Sequence, residues 1–500
     1  MSIKELLTRI FAKRIAKKTA KWMSDSTNLQ RNTLQELLTQ GKNTAFGKDH
    51  DFEKIRDYSS FKAHVPVRDY EEMKPYFDRI VEGELDVLWP GKPIYLCKSS
   101  GTTSGAKYLP ITKESLPNHI NSARNALLNY IHETGHSNLI NGKMIFIQGS
   151  PELELKNGIQ NGRLSGIVAH HIPNYLQKHR LPSFETNCIV DWEEKVDAIV
   201  LETINENMTL IGGIPPWLQM YFEKVLEKSG KPTIKDVFPD LQLIVVGGVN
   251  FEPYKKRFMK LLGPGIDFQE MYPASEGFFA YQNKQSEKDL LLLLDENIFY
   301  EFIPAEMALS ESPERICIDD VELNKNYALV LNSNAGFWGY LIGDTIKFTS
   351  LNPYKIVVTG RIKHFLSAFG EHVIAEEIES AMEEVATTES VDITEFTVAP
   401  QLEVSAGELP YHEWFIEFKE PPLDLVSFQH KLDALVCEKN IYYSDLITGS
   451  VLQKLKITLI QPNGFKKYME ESGKLGGQNK VIHLCNDRSI ADKISAFERT

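Results

Sequence analysis

Cysteine is scarce in this 500-residue chain: Cys97, Cys188, Cys317, Cys437 and Cys485 lie far apart, with no CxxC pair. An odd, scattered set argues against a disulfide framework and for a reducing compartment. No histidine cluster stands at zinc-ligand spacing. Long hydrophobic runs are missing too. The longest, 290–294 and 243–249, hold five and seven residues, the second with two glycines. A membrane-spanning helix needs ~20. Nor is there a basic excess: 55 Lys+Arg against 68 Asp+Glu leave a net charge of −13. Nucleic acid demands a basic face, so it is not the expected partner. Internal repeats and low-complexity tracts are also absent.

What remains is an ordinary globular composition, 42% hydrophobic, 25% charged and 10% aromatic. At ~150 residues per domain the chain has material for roughly three domains, or fewer if one is large. Residues 1–22 carry seven Lys/Arg around Ile3, Leu7, Ile10, Phe11 and Ile15. That pattern reads as a first helix whose apolar stripe docks on the body while its lysines face water. It has no signal-peptide h-region, so a cytoplasmic protein without stable membrane insertion is expected. Residues 27–42 read as a second helix, followed by a loop-rich stretch with Pro66, Pro75, Pro90 and Pro93.

From about residue 93, short apolar strands alternate with helices. Strand candidates are 143–147, 198–201, 241–246, 328–331 and 356–359, and helices are expected over 115–134 and 216–229. Strands separated by helix-length segments indicate an α/β fold with mixed or parallel sheet. Segments 394–399 and 413–418 read as antiparallel strands of a smaller α+β unit, with helices near 374–386 and 424–438. A boundary near His364 gives a large domain, 1–364, and a small mobile C-terminal domain, 365–500.

The segment richest in chemistry is Lys98-Ser99-Ser100-Gly101-Thr102-Thr103-Ser104-Gly105-Ala106-Lys107. Hydroxyls, glycines and lysines so concentrated suit a loop that wraps an anion: glycines turn backbone N–H groups inward, hydroxyls donate, and lysines add charge. It is not a Walker A loop, since three residues separate Gly101 from Gly105 and Tyr108 follows Lys107. A plain Ser/Gly surface loop would have the same composition.

Further pieces follow in order. These are Val246-Gly247-Gly248-Val249, Met271-Tyr272-Pro273-Ala274-Ser275-Glu276-Gly277, Gly343-Asp344, Thr359-Gly360-Arg361, and 365–378 with Glu376-Glu377-Ile378. With the loop, they resemble the motifs of the adenylate-forming superfamily of acyl-CoA synthetases, peptide-synthetase adenylation domains and luciferases. Residues 65–76, Asp78-Arg79-Ile80, Gly91-Lys92-Pro93-Ile94 and 475–481 are similar to the auxin-responsive Gretchen Hagen family of acyl-acid amido synthetases. Pro273 stands where the superfamily has glycine, and Asn479 and Ile482 depart from the family's Gln-aromatic-Lys-x-Pro stretch.

The resemblance implies an ATP-dependent ligase. It would join a small carboxylic acid to AMP, with Mg²⁺ as cofactor, then transfer the acyl group to an amino acid. Ser99, Ser100, Gly101, Thr102, Thr103 and Lys107 would hold the β- and γ-phosphates. Gly247, Gly248, Tyr272 and Ser275 would line the adenine, Glu276 would bind Mg²⁺, and Asp344 and Arg361 would grip ribose. Lys480 would reach the α-phosphate. Trp217 and His170 are expected beside the acid, and His364 falls at the superfamily's hinge position. Two rival readings are an acyl-CoA ligase, which would end with coenzyme A, and a non-catalytic binder of nucleotide or acid.

Overall fold

A computed structural model describes residues 2–99, 107–172, 177–189, 191–248, 251–310, 313–362, 365–366, 373–402, 404–405, 408–448, 452–475, 480–485 and 488–499. The chain forms two compact units: Met1–Pro304, Ser312–Ile342 and Lys347–Val357 make the first, and Ala305–Glu311, Gly343–Ile346 and Val358–Thr500 the second.

The strands of the first fold, in chain order, are β1 (Tyr95–Ser99), β2 (Lys107–Ile111), β3 (Lys143–Ile147), β4 (Glu154–Lys156), β5 (Ile159–Gly162), β6 (Arg180–Leu181), β7 (Met208–Gly213) and β8 (Leu243–Gly247). They continue as β9 (Asp267–Ala274), β10 (Gly277–Gln282), β11 (Leu290–Leu292), β12 (Ile298–Pro304), β13 (Asn326–Ser333), β14 (Tyr340–Leu351) and β15 (Tyr354–Arg361), the last two including Gly343–Ile346 and Val358–Arg361 of the second unit. A four-stranded sheet runs β2-β1-β5-β4, and an eleven-stranded sheet runs β12-β13-β14-β15-β11-β10-β9-β8-β7-β3-β6. Neighbours from β9 to β6 pair in parallel.

Alternation along those parallel strands sets the layers. Ile211, Ile244 and Val246 join Trp217, Leu218, Tyr221 and Phe222 of helix Pro215–Ser229 in one core. Leu210, Leu243, Val245 and Met271 turn the other way, onto Ala126, Tyr130 and Ile131 of helix Leu116–Thr134. Helices thus cover both faces, as a parallel sheet requires.

The second unit has strands β16 (Phe365–Leu366), β17 (Val373–Ile374), β18 (Ile393–Gln401), β19 (Tyr411–Phe418) and β20 (Lys456–Leu459). β18 and β19 are antiparallel, and β20 joins β19 in parallel. Helices Ala375–Glu389 and Leu425–Lys439 pack on this sheet through Ile378, Met382, Phe428 and Leu432 against Phe396, Val398, Trp414 and Ile416. A large α/β part and a smaller α+β part are the architecture expected.

Three local expectations are corrected. Residues 198–201 are not a strand but part of helix Trp192–Thr203, capped by Asp191. Val196, Ile199, Val200 and Thr203 are buried while Leu201 is exposed, a helical period that the β-branched residues had masked. Residues 70–81, expected as loop, form helix Tyr70–Val81, closed by a capping box between Asp69 and Glu72. It buries Tyr70, Met73, Phe77 and Ile80, while Pro75 lies on its exposed side, where its missing N–H costs least. The first helix, Ile3–Met23, does not dock by its large apolar stripe. Ala12 is buried against the body with Ile15 and Trp22, whereas Ile3, Leu7 and Ile10 are 79%, 60% and 58% exposed. The side that meets helix Leu116–Thr134 carries Ala12, Ile15 and Trp22.

Candidate active site

β7, β8 and β9 all end at one edge of the parallel sheet, where open α/β sheets bind ligands. β8 ends in Gly247, opposite Met271. A Cβ on Gly247 would lie 2.6 Å from the Met271 carbonyl oxygen, so no side chain fits. Gly248 turns the chain with φ +81° and passes Ile214 at the end of β7. The result is bare backbone at the strand ends, suited to a flat ligand lying close.

β9 and β10 form a hairpin in which Gly277 pairs with Ala274, leaving Ser275 and Glu276 as its turn. Glu276 is therefore a hairpin-tip carboxylate and not a helix N-terminal one. Tyr272 is nearly buried, its ring edge-on to Phe279 with centroids 5.2 Å apart. Asn118 locks the hairpin: its Nδ2 donates to the Phe278 carbonyl at 3.0 Å and its Oδ1 accepts from the Phe278 N–H at 2.7 Å. Tyr340 Oη stands 3.5 Å from Glu276 Oε1.

β1 and β2 make a second hairpin, with Ser99 opposite Lys107. Ser100, Gly101, Thr102 and Thr103, between them, lie outside the described residues. The base of this hairpin is joined to the Glu276 turn. Cys97 is fully buried, close to the Ser275 side chain and to Glu276. Burial and the neighbouring carboxylate push its thiol up to about 12, against the weaker pull of Ser275, so it is a neutral fastener and not a nucleophile. Lys107 extends over the Tyr70 ring at 5.0 Å, and the Tyr70 hydroxyl accepts from the Tyr108 N–H at 3.1 Å. Segment 65–76 is thus built into the site. Its Arg68 also exchanges backbone hydrogen bonds with Gly339 and Leu341, flanking Tyr340.

The other expected residues gather in the second unit. Arg361 Nε donates to Asp344 Oδ1 at 2.9 Å. Lys480 belongs to the same electrostatic group: desolvation draws it down to about 8, with Asp344 pulling up, Arg361 pushing down and Glu379 pulling up. Its surface nonetheless stays exposed, so water relieves part of that desolvation. His364 lies outside the described residues.

The two residues expected beside an acid differ in exposure. Trp217 is 5% exposed, within the core under helix Pro215–Ser229. His170 is exposed, its ring bonded to the Pro151 carbonyl at 2.9 Å. Two further cations, buried Lys195 on helix Trp192–Thr203 and half-buried Arg163, are not among the expected residues. Lys195 is 2% exposed, drawn down to about 8 by burial, with Cys188 pulling up and Arg163 pushing down. Arg163 is itself lowered by burial. Asn118, Tyr340 and Lys195 were missed because nothing in their local sequence marks them; Asn118 acts 160 residues away.

The chain matches the GH3 family N-terminal domain over residues 15–189, the GH3 family central domain over 291–361 and the GH3 family C-terminal domain over 376–489. It is 22% identical over 391 residues to a jasmonoyl–L-amino acid synthetase of Nicotiana attenuata, covering 65% of this chain and 67% of that one. An indole-3-acetic acid-amido synthetase of Arabidopsis thaliana is 20% identical over 528 residues, covering 88% and 86%. The solved structure of the acyl acid amido synthetase AtGH3.15 with 2,4-DB superposes with a TM-score of 0.80 at 16% identity, covering 98% of this chain and 96% of that one; this shows the shared fold. With its three family domains matched in order across most of its length, the chain belongs to the GH3 family.

Proposed function

We propose that this chain is an ATP-dependent acid–amino acid ligase. A carboxylate oxygen of a small acid attacks the α-phosphorus of ATP, releasing pyrophosphate and leaving acyl-AMP. An amino acid amine then attacks the acyl carbon, and AMP departs as the amide forms. Displacement at phosphorus needs positioning and charge neutralisation more than a protein nucleophile.

The observation that carries this reading is the joining of the Ser99–Lys107 hairpin to the Glu276 turn through Cys97 and Ser275, beside the glycine-bare strand ends. One hairpin supplies phosphate donors and the other a carboxylate. In this reading Ser99, Lys107 and residues 100–103 hold the β- and γ-phosphates, and Tyr272, Ser275, Gly247 and Gly248 border adenine. Asp344 and Arg361 hold ribose, and Lys480 neutralises the α-phosphate. Residues 1–364 form the ATP- and acid-binding domain and 365–500 the small mobile one. Among the described residues no three His, Cys, Asp or Glu converge on a metal position. A single carboxylate, Glu276, is what Mg²⁺ takes from protein when phosphates and water provide its other ligands. When bound, Mg²⁺ would supply charge neutralisation at the phosphates.

The test is acid-dependent exchange of labelled pyrophosphate into ATP across a panel of carboxylic acids, followed by product analysis with amino acids and coenzyme A offered in turn. Exchange followed by an amide supports the proposal. A thioester product would make the chain an acyl-CoA ligase, and absence of exchange with every acid would make it a binding protein. No helix among the described residues is long and apolar enough to cross a membrane, so a purified-protein assay without detergent is practicable.

A further inference from the structure

Helix Ile3–Met23 carries a surface that the proposed chemistry does not use. Its inner side is fixed to the body. Ala12, Ile15 and Trp22 join the core packed on helix Leu116–Thr134. Arg9 Nε donates to Ser137 Oγ at 2.8 Å, and Lys18 pairs with Asp295 at 3.0 Å. Glu5, the one acid of the helix, accepts from Asn141 Nδ2 at 2.6 Å.

The outer side is different. At 3.6 residues per turn, Ile3, Leu6, Leu7 and Ile10 lie next to one another there, and they are 79%, 47%, 60% and 58% exposed. Lys13, Arg14, Lys17 and Lys21 continue the same strip toward the C-terminal end, all of them exposed. Their side chains form no ion pair among the described residues. The strip is therefore apolar at one end and cationic at the other, with no acid along it.

Charge decides the occupant. The chain as a whole carries −13, yet this strip gathers four unpaired cations, which call for an anionic partner. A second copy of the chain does not fit. Two such strips laid parallel set cations against cations, and laid antiparallel they set the cations of each on the leucines and isoleucines of the other. A bilayer surface with anionic headgroups matches both ends at once. Its acyl boundary takes the apolar end, and its phosphates take the lysines and the arginine. Because the helix is already folded on the body, docking does not have to order it.

We propose that helix Ile3–Met23 is an interfacial anchor whose outer strip lies on an anionic lipid surface. Ile3, Leu6, Leu7 and Ile10 enter the boundary between headgroups and acyl chains, while Lys13, Arg14, Lys17 and Lys21 meet the phosphates. The attachment is peripheral and reversible, since one short apolar stripe binds weakly without its basic neighbours.

The test is co-sedimentation of the purified full chain with two kinds of vesicle. One is phosphatidylcholine alone, and in the other about one-third of the lipid is phosphatidylserine. Binding to the anionic vesicles should be about tenfold to a hundredfold tighter, the scale of a few cations near a charged surface. Added salt should weaken it by screening. Lys13→Glu/Lys17→Glu is expected to remove the preference for anionic vesicles, and Leu7→Glu/Ile10→Glu to weaken binding about tenfold. Lys13→Arg/Lys17→Arg should bind as the wild type does. These positions are exposed, so an unchanged melting temperature is expected in every variant and shows that each is folded. Equal binding to both vesicles, or undiminished binding in Lys13→Glu/Lys17→Glu, overturns the proposal. Absence of binding to either vesicle does so too. If light scattering then finds a dimer that Leu7→Glu/Ile10→Glu dissolves, the strip is a seam between copies of the chain instead.

Discussion

The Glu276 turn and the Lys480 segment each present one charged group, but they are held by different forces. Glu276 sits at the tip of a strand pair whose register is set by backbone hydrogen bonds and by Asn118 clamping Phe278. Lys480 owes its environment to side-chain charge, with Asp344, Arg361 and Glu379 around it and His483 shared with Glu379. Main-chain register is indifferent to pH and to most surface substitutions. A balance of buried charges shifts when any member is lost. A ligase that keeps one charge fixed and lets the other change surroundings between two half-reactions would need both kinds of support.

The sharpest way to break this comparison is Glu276→Gln. It should cut acid-dependent pyrophosphate exchange about a thousandfold, the loss of several kcal/mol of charge stabilisation, with an unaltered melting temperature. A change in melting temperature matching the rate loss would show that the turn is not held by its register. Lys480→Ala comes next. An acyl-AMP formation rate about a hundredfold lower, with transfer from supplied acyl-AMP nearly intact, would sustain the asymmetry; equal loss in both half-reactions would end it.

pH sharpens the contrast further. If Lys480 acts as the ammonium, adenylation should fall as pH rises through its titration, which desolvation lowers from the ordinary lysine range. Lys480→Arg should move the alkaline limb upward, because guanidinium stays charged. An alkaline limb that does not move in Lys480→Arg would deny the lysine that role. His483 adds a slower trend in stability. Its folded value, about 10, exceeds the unfolded ~6.5. Its contribution is therefore complete below pH ~6.5 and is lost as pH climbs toward 10, visible as a declining urea midpoint over that range. The smallest effect is expected from Asp344→Ala: about a tenfold higher KM for ATP, as for one lost charge-assisted hydrogen bond, with the KM for acid unchanged. If 2′-deoxy- and 3′-deoxy-ATP serve the wild type as well as ATP does, Asp344 does not hold ribose.

Much of the second and third layers of this fold was legible from period and punctuation. β3 over 143–147 and helix Leu116–Thr134 fall where apolar spacing put them. The misreadings share a cause. At 198–201, β-branched residues imitate a strand, and only the burial of Val196 and Thr203 on the same side reveals the helix. At 70–81 a proline and many charges imitate a loop, and the capping box that overrides them is a local signal that could have been weighed. The first helix shows the limit of amphipathic reasoning. Which side docks depended on the surface offered by the body, which took Ala12, Ile15 and Trp22 and left Ile3, Leu7 and Ile10 exposed.

The order of the motifs and the type of chemistry at each are local properties: glycines where backbone must lie bare, hydroxyls and lysine flanking an anion loop, an acid after serine. These the sequence determined by itself, because they depend on residue type and short spacing. The tertiary structure alone decided how they are tied together. Cys97 lies by Ser275, Tyr340 approaches Glu276, and His483 bridges Glu379 and Glu395. Each of these joins residues at least 100 positions apart or on different elements. No local pattern encodes them, since what brings them together is the register of strands and the need of buried charges for partners.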